Sequence, residues 1–380
     1  MIIDADTHVI ESEQMWDLIE PPLQRRRPIM IKIPSDTAFG DRNAFWLIDG
    51  KIHPKPIGHG AFRLHTPATS DFELSRTDTT RECREITDID ARIADMDRQG
   101  IDVQVIYPTF FLQPVTSDVE LQVGLCRAYN QYLADVWARS GGRLRWVVVL
   151  PLASPSDIEA EIAFGKSHGA VGVFMHGFED AGSAGDRAFF KLYGQALEHN
   201  LAICVHTGVG STNLAAEGAG FAQTAVIHAF RDIVVNSVPQ EFPGLRFGFI
   251  EAGSSWLPYV FHGLVRSRKA RSPRVQQFFS QSAPEPAELM RQANLYVASQ
   301  ADEDLEYLLR IAAPENLVIG SDYGHVDPAF EAEMNATLRG REGLDSEIVE
   351  GMLSSNPMAL YGIGEEDLAG AASVAASASQ

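Results

Sequence analysis

Short apolar runs recur along the whole chain, and segments with the periodicity of amphipathic helices separate most of them. Each run is four to eight residues long and rich in Val, Ile and Phe, a composition typical of parallel strands that are buried on both faces. The pattern therefore predicts repeated β–α units. The runs are "MIIDAD" at the start, then 101–108, 144–151, 169–176, 201–206, 245–251, 294–299 and 317–322.

The segments between the apolar runs carry local signals of helix starts and ends. Ser117 and Glu120 have the spacing of a capping box, which predicts that a helix begins before the long segment 119–140. Gly100 predicts the C-terminal end of an earlier helix. Another predicted helix has an apolar face made of Phe189, Leu192, Tyr193, Ala196 and Leu197.

Eight strands that alternate with helices predict a (β/α)8 TIM barrel. The rival architecture is a doubly wound open sheet, which favours a glycine-rich phosphate loop after an early strand. No such loop is present. Gly208-Val-Gly210 and Gly218-Ala-Gly220 are only fragments of one, and we interpret their glycines as turn residues.

Two stretches fall outside the β–α repeat. Residues of about 30–75 predict an inserted β-hairpin around Asp49-Gly50, because an Asp-Gly pair between apolar residues is a strong hairpin signal. The segment 364–380 is rich in small residues and of low complexity, so we expect a disordered tail there.

Composition narrows the class of partner. The formal net charge is −20, from 31 basic and 51 acidic residues, so a nucleic-acid backbone would be repelled. No apolar run approaches the length of a membrane span, and the first residues lack the pattern of a signal peptide. Three scattered cysteines do not form a disulfide framework. We expect a soluble cytoplasmic protein that binds a small molecule rather than nucleic acid or membrane.

Charged and imidazole side chains stand where five of the apolar runs end. In a barrel these C-terminal strand ends form the active site, and buried charges there require a partner. A divalent metal ion is a partner that satisfies several of them together. The residues are Asp6 and His8 after the first strand, His176 after the fourth, His206 after the fifth, Glu251 after the sixth and Asp322 after the eighth.

The spacing of Asp6 and His8 supports a common metal site. Side chains alternate along a strand, so Asp6 and His8 lie on the same side. With His206 and Asp322 they make a mixed nitrogen and oxygen ligand set suited to zinc, manganese or iron, with a position left for water or substrate.

The motifs at these strand ends resemble those of the amidohydrolase superfamily. They are "DADTH", "VGVFMHGFE", "ICVHTG", "RFGFIEAGSSWLPY", "IGSDYGH" and "NPMALYG". The most similar branch is typified by aminocarboxymuconate-semialdehyde decarboxylase and related aromatic-acid decarboxylases and hydrolases. The resemblance covers residues 1–363 and implies a distorted TIM barrel with one divalent metal ion, often Zn²⁺ or Mn²⁺. It assigns the ligands to Asp6, His8, His206 and Asp322.

The chain departs from the pattern of that superfamily at two positions. Asp6 replaces the first histidine of a His-x-His pair, which adds a hard oxygen ligand of the kind that manganese tolerates well. Glu251 stands where decarboxylases of the branch tend to carry a histidine. Glu251 is therefore a candidate general base, an additional metal ligand, an anchor for a polar substrate group, or a residue that only bonds a turn.

Further residues near the strand ends have both a functional and a structural interpretation. His176 contacts substrate or packs against Phe178, and His325 orients Asp322 or lies at the surface. Glu11 is assigned to the surroundings of the metal or substrate, with surface exposure as the alternative. Trp256 is assigned to the substrate pocket, with core packing as the alternative. Histidines of the insertion, His53, His59 and His65, are expected to be surface residues.

Two reactions fit this set of residues. In the first, the enzyme is a non-oxidative decarboxylase of a small, aromatic or unsaturated carboxylic acid, with Asp322 as proton donor and Glu251 and His176 as further catalytic candidates. In the second, it is a hydrolase of an amide, ester, lactone or carbon–carbon bond, in which Asp322 or Glu251 accepts a proton from water. A third hypothesis is a sensor that binds a small molecule without chemistry, but such a protein is expected to lack a ligand residue. The resemblance favours the decarboxylase and a homodimer.

Overall fold

The computed structural model describes residues 1–34, 36–37, 43–56, 79–211, 219–269, 285–325, 331 and 333–364. Eight parallel strands follow one another in chain order around a nearly closed barrel, with helices outside it. The predicted TIM barrel is therefore confirmed. The strands are β1 (Ile3–Val9), β2 (Val103–Pro108), β3 (Leu144–Val148), β4 (Ala170–His176), β5 (Ala202–His206), β6 (Phe247–Ile250), β7 (Leu295–Ser299) and β8 (Leu317–Ile319).

Helices of very different length connect these strands. Short 3₁₀ turns cover Pro21–Arg26, Phe110–Leu112, Arg187–Phe189 and Pro314–Asn316, and a π-helical turn covers Gly351–Ser355. Within the described part of the chain, no helix is both long and apolar enough to cross a membrane. The α-helices are α1 (Glu13–Trp16), α2 (Arg81–Glu85), α3 (Ile89–Gln99), α4 (Val119–Arg139), α5 (Ile158–Ser167), α6 (Phe190–Glu198), α7 (Ala219–Val235), α8 (Val238–Glu241), α9 (Leu257–Lys269), α10 (Pro286–Gln292), α11 (Leu305–Leu308), α12 (Met334–Arg339), α13 (Ser346–Glu350) and α14 (Asn356–Tyr361).

The local helix signals are confirmed in part. Gly100 ends α3 with a left-handed backbone at φ 68°, as predicted. The predicted cap at Ser117 is wrong by one residue, because Asp118 accepts the bond from the Leu121 amide instead. The Asp118 carboxylate also accepts a hydrogen bond from the Arg26 guanidinium at 3.2 Å, which helps to hold it at the start of α4.

A separate antiparallel sheet contains the predicted hairpin. Its strands are Ile29–Lys32, Asn43–Ile48 and Lys51–Pro56. Asp49 and Gly50 form the connecting turn with φ values of 50° and 77°, the backbone that an Asp-Gly hairpin requires. The hairpin prediction is confirmed, whereas the rest of the insertion, 57–75, and the tail after Gly364 lie outside the described residues.

The barrel closes where β1 meets the segment that follows β8. The Asp322 amide donates to the Asp6 carbonyl at 2.9 Å, and the His8 amide donates to the Tyr323 carbonyl at 2.6 Å. A single bridge between Thr7 and Tyr323 takes the place of a regular ladder. Closure therefore joins the two chain segments that carry Asp6, His8 and Asp322.

Candidate metal centre and active site

Donor atoms of residues at or after the ends of four strands form two overlapping groups. One donor atom each from Asp6, His8, His206 and Glu251 lies within 4.8 Å of the others. A second group with the same property consists of His8, Glu251, Asp322 and His325. The structure thus places three of the predicted ligand residues, Asp6, His8 and His206, in one group with Glu251. Asp322 belongs to the second group, with His325, and lies next to His8.

The two groups share His8 and Glu251. Nδ1 of His8 lies 3.0 Å from the Pro108 carbonyl, so only Nε2 faces the other donors. A single nitrogen lone pair binds a single ion. The Nε2 atom is buried and has no hydrogen-bond partner among the described residues.

Distances between the donor atoms match the edges of a metal coordination shell. Nε2 of His206 lies 3.3 Å from Asp6 Oδ1 and 3.3 Å from Glu251 Oε2. Nε2 of His8 lies 3.4 Å from Asp322 Oδ1 and 3.6 Å from Asp6 Oδ1. Ligands about 2.1 Å from one ion are separated by roughly 3.0–3.5 Å. The donor set therefore fits a divalent metal ion.

Backbone carbonyls orient both histidines toward this centre. Nδ1 of His206 lies 2.7 Å from the Thr207 carbonyl, and Nδ1 of His8 lies 3.0 Å from the Pro108 carbonyl. A carbonyl acceptor holds a proton on Nδ1 and leaves the Nε2 lone pair for the metal. Burial, and after it the charges of His325 and His206, lower the pKa of His8 well below its usual value. His8 is therefore neutral, which is the form that binds a metal.

Two of the carboxylates sit on left-handed backbone. Glu251 has φ 58° and Asp322 has φ 52°, a conformation that non-glycine residues adopt rarely and that is often found at functional sites. Both residues were expected at the last position of a strand, but β6 ends at Ile250 and β8 at Ile319. The carboxylates therefore reach the centre from turns after the strands.

His325 lies against Asp322 and His8. Its Nδ1 is 2.9 Å from Asp322 Oδ1, and its ring stacks on the His8 ring with 3.7 Å between centroids. Its Nε2 lies 2.8 Å from the Thr109 hydroxyl. The structure thus places His325, buried, in contact with a predicted metal ligand.

His176 forms a pair with Glu179 next to the candidate metal centre. Oε1 of Glu179 accepts the His176 amide at 2.8 Å and lies 2.8 Å from the imidazole Nδ1. His176 is the register partner of His206 on the neighbouring strand but does not belong to either donor group of the described residues. Its Nε2 is buried and has no hydrogen-bond partner among the described residues.

The glycines after β5 allow the chain to pass over this pair. A Cβ on Gly208 would lie 2.7 Å from His176 Cδ2, and one on Gly210 would lie 1.8 Å from Glu179 Oε2. These two glycines therefore serve a close approach of backbone to side chains. Beside the pair lies a cavity of about 80 Å³ whose wall contains polar and aromatic side chains, among them Phe111, Thr116, Gln122 and Phe174.

Glu11 and Trp256 lie outside both donor groups. The Glu11 carboxylate accepts the amides of Thr109 and Phe110 at 3.0 and 2.9 Å, which holds the loop after β2. The Trp256 ring nitrogen donates to the Gly253 carbonyl at 2.7 Å. Both side chains thus support chain segments next to the centre.

The sequence did not reveal several residues that surround the site. Glu179 was detectable from its position three residues after His176. Glu303 receives the amides of Ser254 and Ser255, and so holds the turn after Glu251, yet no local pattern marks it. The same is true of Arg92, which lies on α3 outside the barrel and donates to the His8 carbonyl.

Comparison with known proteins identifies the chain's relatives. A family model described as amidohydrolase matches residues 3–363. No curated protein matches the chain. Among solved structures, an amidohydrolase from Mycobacterium avium subsp. paratuberculosis is 20% identical, with a TM-score of 0.69 over 95% of this chain and 98% of that one.

Two further structures belong to enzymes with stated activities. 4-Oxalomesaconate hydratase from Rhodopseudomonas palustris is 17% identical, with a TM-score of 0.61 and full coverage of both chains. 5-Carboxyvanillate decarboxylase from Novosphingobium aromaticivorans, complexed with manganese and 4-hydroxy-3-methoxy-5-nitrobenzoic acid, is 18% identical, with a TM-score of 0.62 over 78% of this chain and 85% of that one. At these identities the similarity shows the fold.

Proposed function

This chain belongs to the amidohydrolase family of metal-dependent enzymes, and on that premise we propose that it is a non-oxidative decarboxylase of a small, aromatic or unsaturated carboxylic acid. The observation that carries the proposal is two overlapping groups of donor atoms, Asp6, His8, His206 and Glu251 in the first and His8, Glu251, Asp322 and His325 in the second. The fold similarity to a decarboxylase that binds manganese and a nitrobenzoic acid supports the choice of reaction and substrate class.

Asp6, His8, His206 and Asp322 are the proposed ligands of one divalent ion, with Glu251 as an additional ligand. Three carboxylates among five donors favour Mn²⁺ over Zn²⁺, because manganese prefers oxygen ligands more than zinc does. The bound ion would supply Lewis-acid stabilisation of substrate oxygens and would acidify a water molecule.

Asp322 is the proposed proton donor. Protonated Asp322 delivers its proton to the substrate carbon that bears the leaving carboxylate, and the electron pair of the broken carbon–carbon bond stays on that carbon as carbon dioxide leaves. His325, in contact with Asp322 Oδ1 and with the Thr109 hydroxyl, is the group proposed to reprotonate Asp322 with a proton taken from solvent. His176, held by Glu179, is the proposed hydrogen-bond partner of a polar substrate group.

Hydrolysis is the alternative reaction, and the position of Glu251 favours it. A carboxylate 3.3 Å from His206 Nε2 is suited to accept a proton from an attacking water molecule. The fold similarity to a hydratase, an enzyme that uses water as a reactant, points in the same direction.

The reaction is tested by incubating the manganese-loaded protein with hydroxylated and methoxylated benzoic acids in D₂O. A decarboxylase releases carbon dioxide and places one deuterium on the product carbon. A hydrolase, offered esters and lactones in H₂¹⁸O, places ¹⁸O in the product acid instead. Binding of the acids without turnover in any assay would refute the decarboxylase and would support the sensor.

We further propose a homodimer of single-domain chains, residues 1–363, in the cytoplasm. The outer face of the small sheet exposes Ile29, Ile31 and Ile52 by 49%, 39% and 61%. Antiparallel sheets usually present polar residues to solvent, and an apolar outer face is typical of an interface. The three cysteines are free and buried, in keeping with a reducing compartment.

A further inference from the structure

A buried arginine outside the barrel contacts both segments that carry the proposed metal ligands. Arg92, on α3, is 0% exposed. Its guanidinium donates to the carbonyl of His8 at 3.3 Å and to the side chain of Gln104 at 2.7 Å. Its carbon Cζ lies 3.8 Å from the centroid of the Tyr323 ring. Arg92 therefore touches the chain on each side of the barrel seam.

Tyr323 is fixed at both its backbone and its side chain. Its carbonyl accepts the His8 amide, and its hydroxyl donates to Asp95 on α3. The same hydroxyl lies 3.0 Å from Cys83 Sγ. Tyr323 directly follows Asp322 in the chain. The contacts that fix Tyr323 therefore also restrain the left-handed backbone of Asp322.

We propose that Arg92 and Tyr323 are positioning residues that set the distance between Asp322 and His8 at the metal centre. Arg92 donates a hydrogen bond to the backbone of His8. It also covers the ring of Tyr323, which is the chain neighbour of Asp322. Loss of either contact would allow the segment 320–324 to move away from β1. The 3.4 Å separation of His8 Nε2 and Asp322 Oδ1 would then no longer fit a single ion.

The substitution Arg92→Lys separates geometry from charge. Lysine keeps the positive charge but lacks the planar fork that bonds two acceptors and stacks on a ring. The positive charge near the metal is therefore the same in both proteins. A change in metal affinity then reports a change in the positions of His8 and Asp322. Tyr323→Phe is the milder test, since it retains the ring over Arg92 and removes only the hydroxyl.

Two controls change the same residue types at other buried positions. Arg145→Lys acts on a buried arginine that donates to the Gly142 carbonyl, far along the sequence from any proposed ligand. Tyr129→Phe removes a buried hydroxyl that has no hydrogen-bond partner among the described residues.

The experiment titrates metal-free protein with Mn²⁺ by calorimetry and records the electron paramagnetic resonance spectrum of the bound ion. We expect Arg92→Lys to weaken Mn²⁺ binding roughly 10- to 100-fold and to change the spectrum, with a smaller change in the same direction for Tyr323→Phe. Both controls should keep wild-type affinity and spectrum.

The inference rests on the metal centre of the proposed function, and the titration distinguishes the two. Wild-type protein that binds no Mn²⁺ would refute the metal centre itself. If the wild type binds Mn²⁺ and both Arg92→Lys and Tyr323→Phe keep its affinity and spectrum, the metal centre stands and the positioning role is overturned. This holds even if the variants melt at a lower temperature. If Arg92→Lys does not fold, the affinity and spectrum of Tyr323→Phe decide the question.

Discussion

The backbone of Gly320 lies directly against Asp6. A Cβ on residue 320 would be 2.3 Å from Asp6 Cβ and 2.9 Å from the Asp6 amide nitrogen. Glycine is thus required at the seam of the barrel, where the segment after β8 passes the first proposed ligand.

We expect Gly320→Ala to displace Asp6, to lower Mn²⁺ affinity roughly 10- to 100-fold and to cost about 1–3 kcal/mol of unfolding free energy through overpacking. Calorimetric titration and denaturant unfolding measure the two effects. Gly263→Ala is the matched control, because Gly263 lies in α9 and a Cβ there meets nothing within 4 Å. That variant should be slightly more stable with unchanged affinity. Wild-type affinity in Gly320→Ala would contradict the seam geometry.

The pair of His176 and Glu179 is predicted to serve substrate rather than metal. Glu179→Gln weakens the charge-assisted bond that orients the imidazole, which is worth about 1.5–3 kcal/mol. We expect kcat/KM to fall roughly 10- to 100-fold while the metal content stays at the wild-type level. Glu198→Gln, at the end of α6, should leave both quantities unchanged. Loss of metal from Glu179→Gln would instead make the pair part of the metal centre.

A pH-dependent contribution to stability is expected from Asp232 on α7. Burial disfavours its charged form, but hydrogen bonds from His228 and Ser183 outweigh burial, so the pKa of Asp232 lies below the ordinary value of 3.8. A depressed pKa stabilises the fold above pH 3.8, and this contribution is lost as the pH falls through the lower folded-state value.

The measurement for Asp232 is the melting temperature of wild type and Asp232→Asn as a function of pH. The wild type should be the more stable above about pH 4, and the difference should shrink in more acidic solution. Melting curves that stay parallel from neutral to acidic pH would show that the carboxylate has no altered pKa.

The outer face of the small sheet is expected to form the dimer interface. Ile52→Glu places a charge on the most exposed of its isoleucines, so the protein should become monomeric in light scattering at a concentration where the wild type is dimeric. Val265→Glu, at an exposed valine of α9, should remain dimeric. A dimer that persists in Ile52→Glu would place the interface elsewhere.

The barrel and the ligand candidates Asp6, His8 and His206 could be derived from the sequence because they depend on local patterns. Buried runs mark strands, and Asp6, His8 and His206 stand within or at the ends of such runs. The turns that carry Glu251 and Asp322 were expected as strand ends, because left-handed backbone in non-glycine residues has no sequence signal. Arg92 was not identified, since its partners come together only when the barrel closes. These limits are physical, because a buried network forms from contacts between residues far apart in the chain.

The metal content of His206→Ala tests the central claim most directly. Wild-type protein should contain about one divalent metal ion per chain, and so should the control His262→Ala, which changes an exposed histidine of α9. His206→Ala should contain none, with the circular dichroism spectrum of the wild type. Full metal content in folded His206→Ala would contradict the assignment of the metal centre.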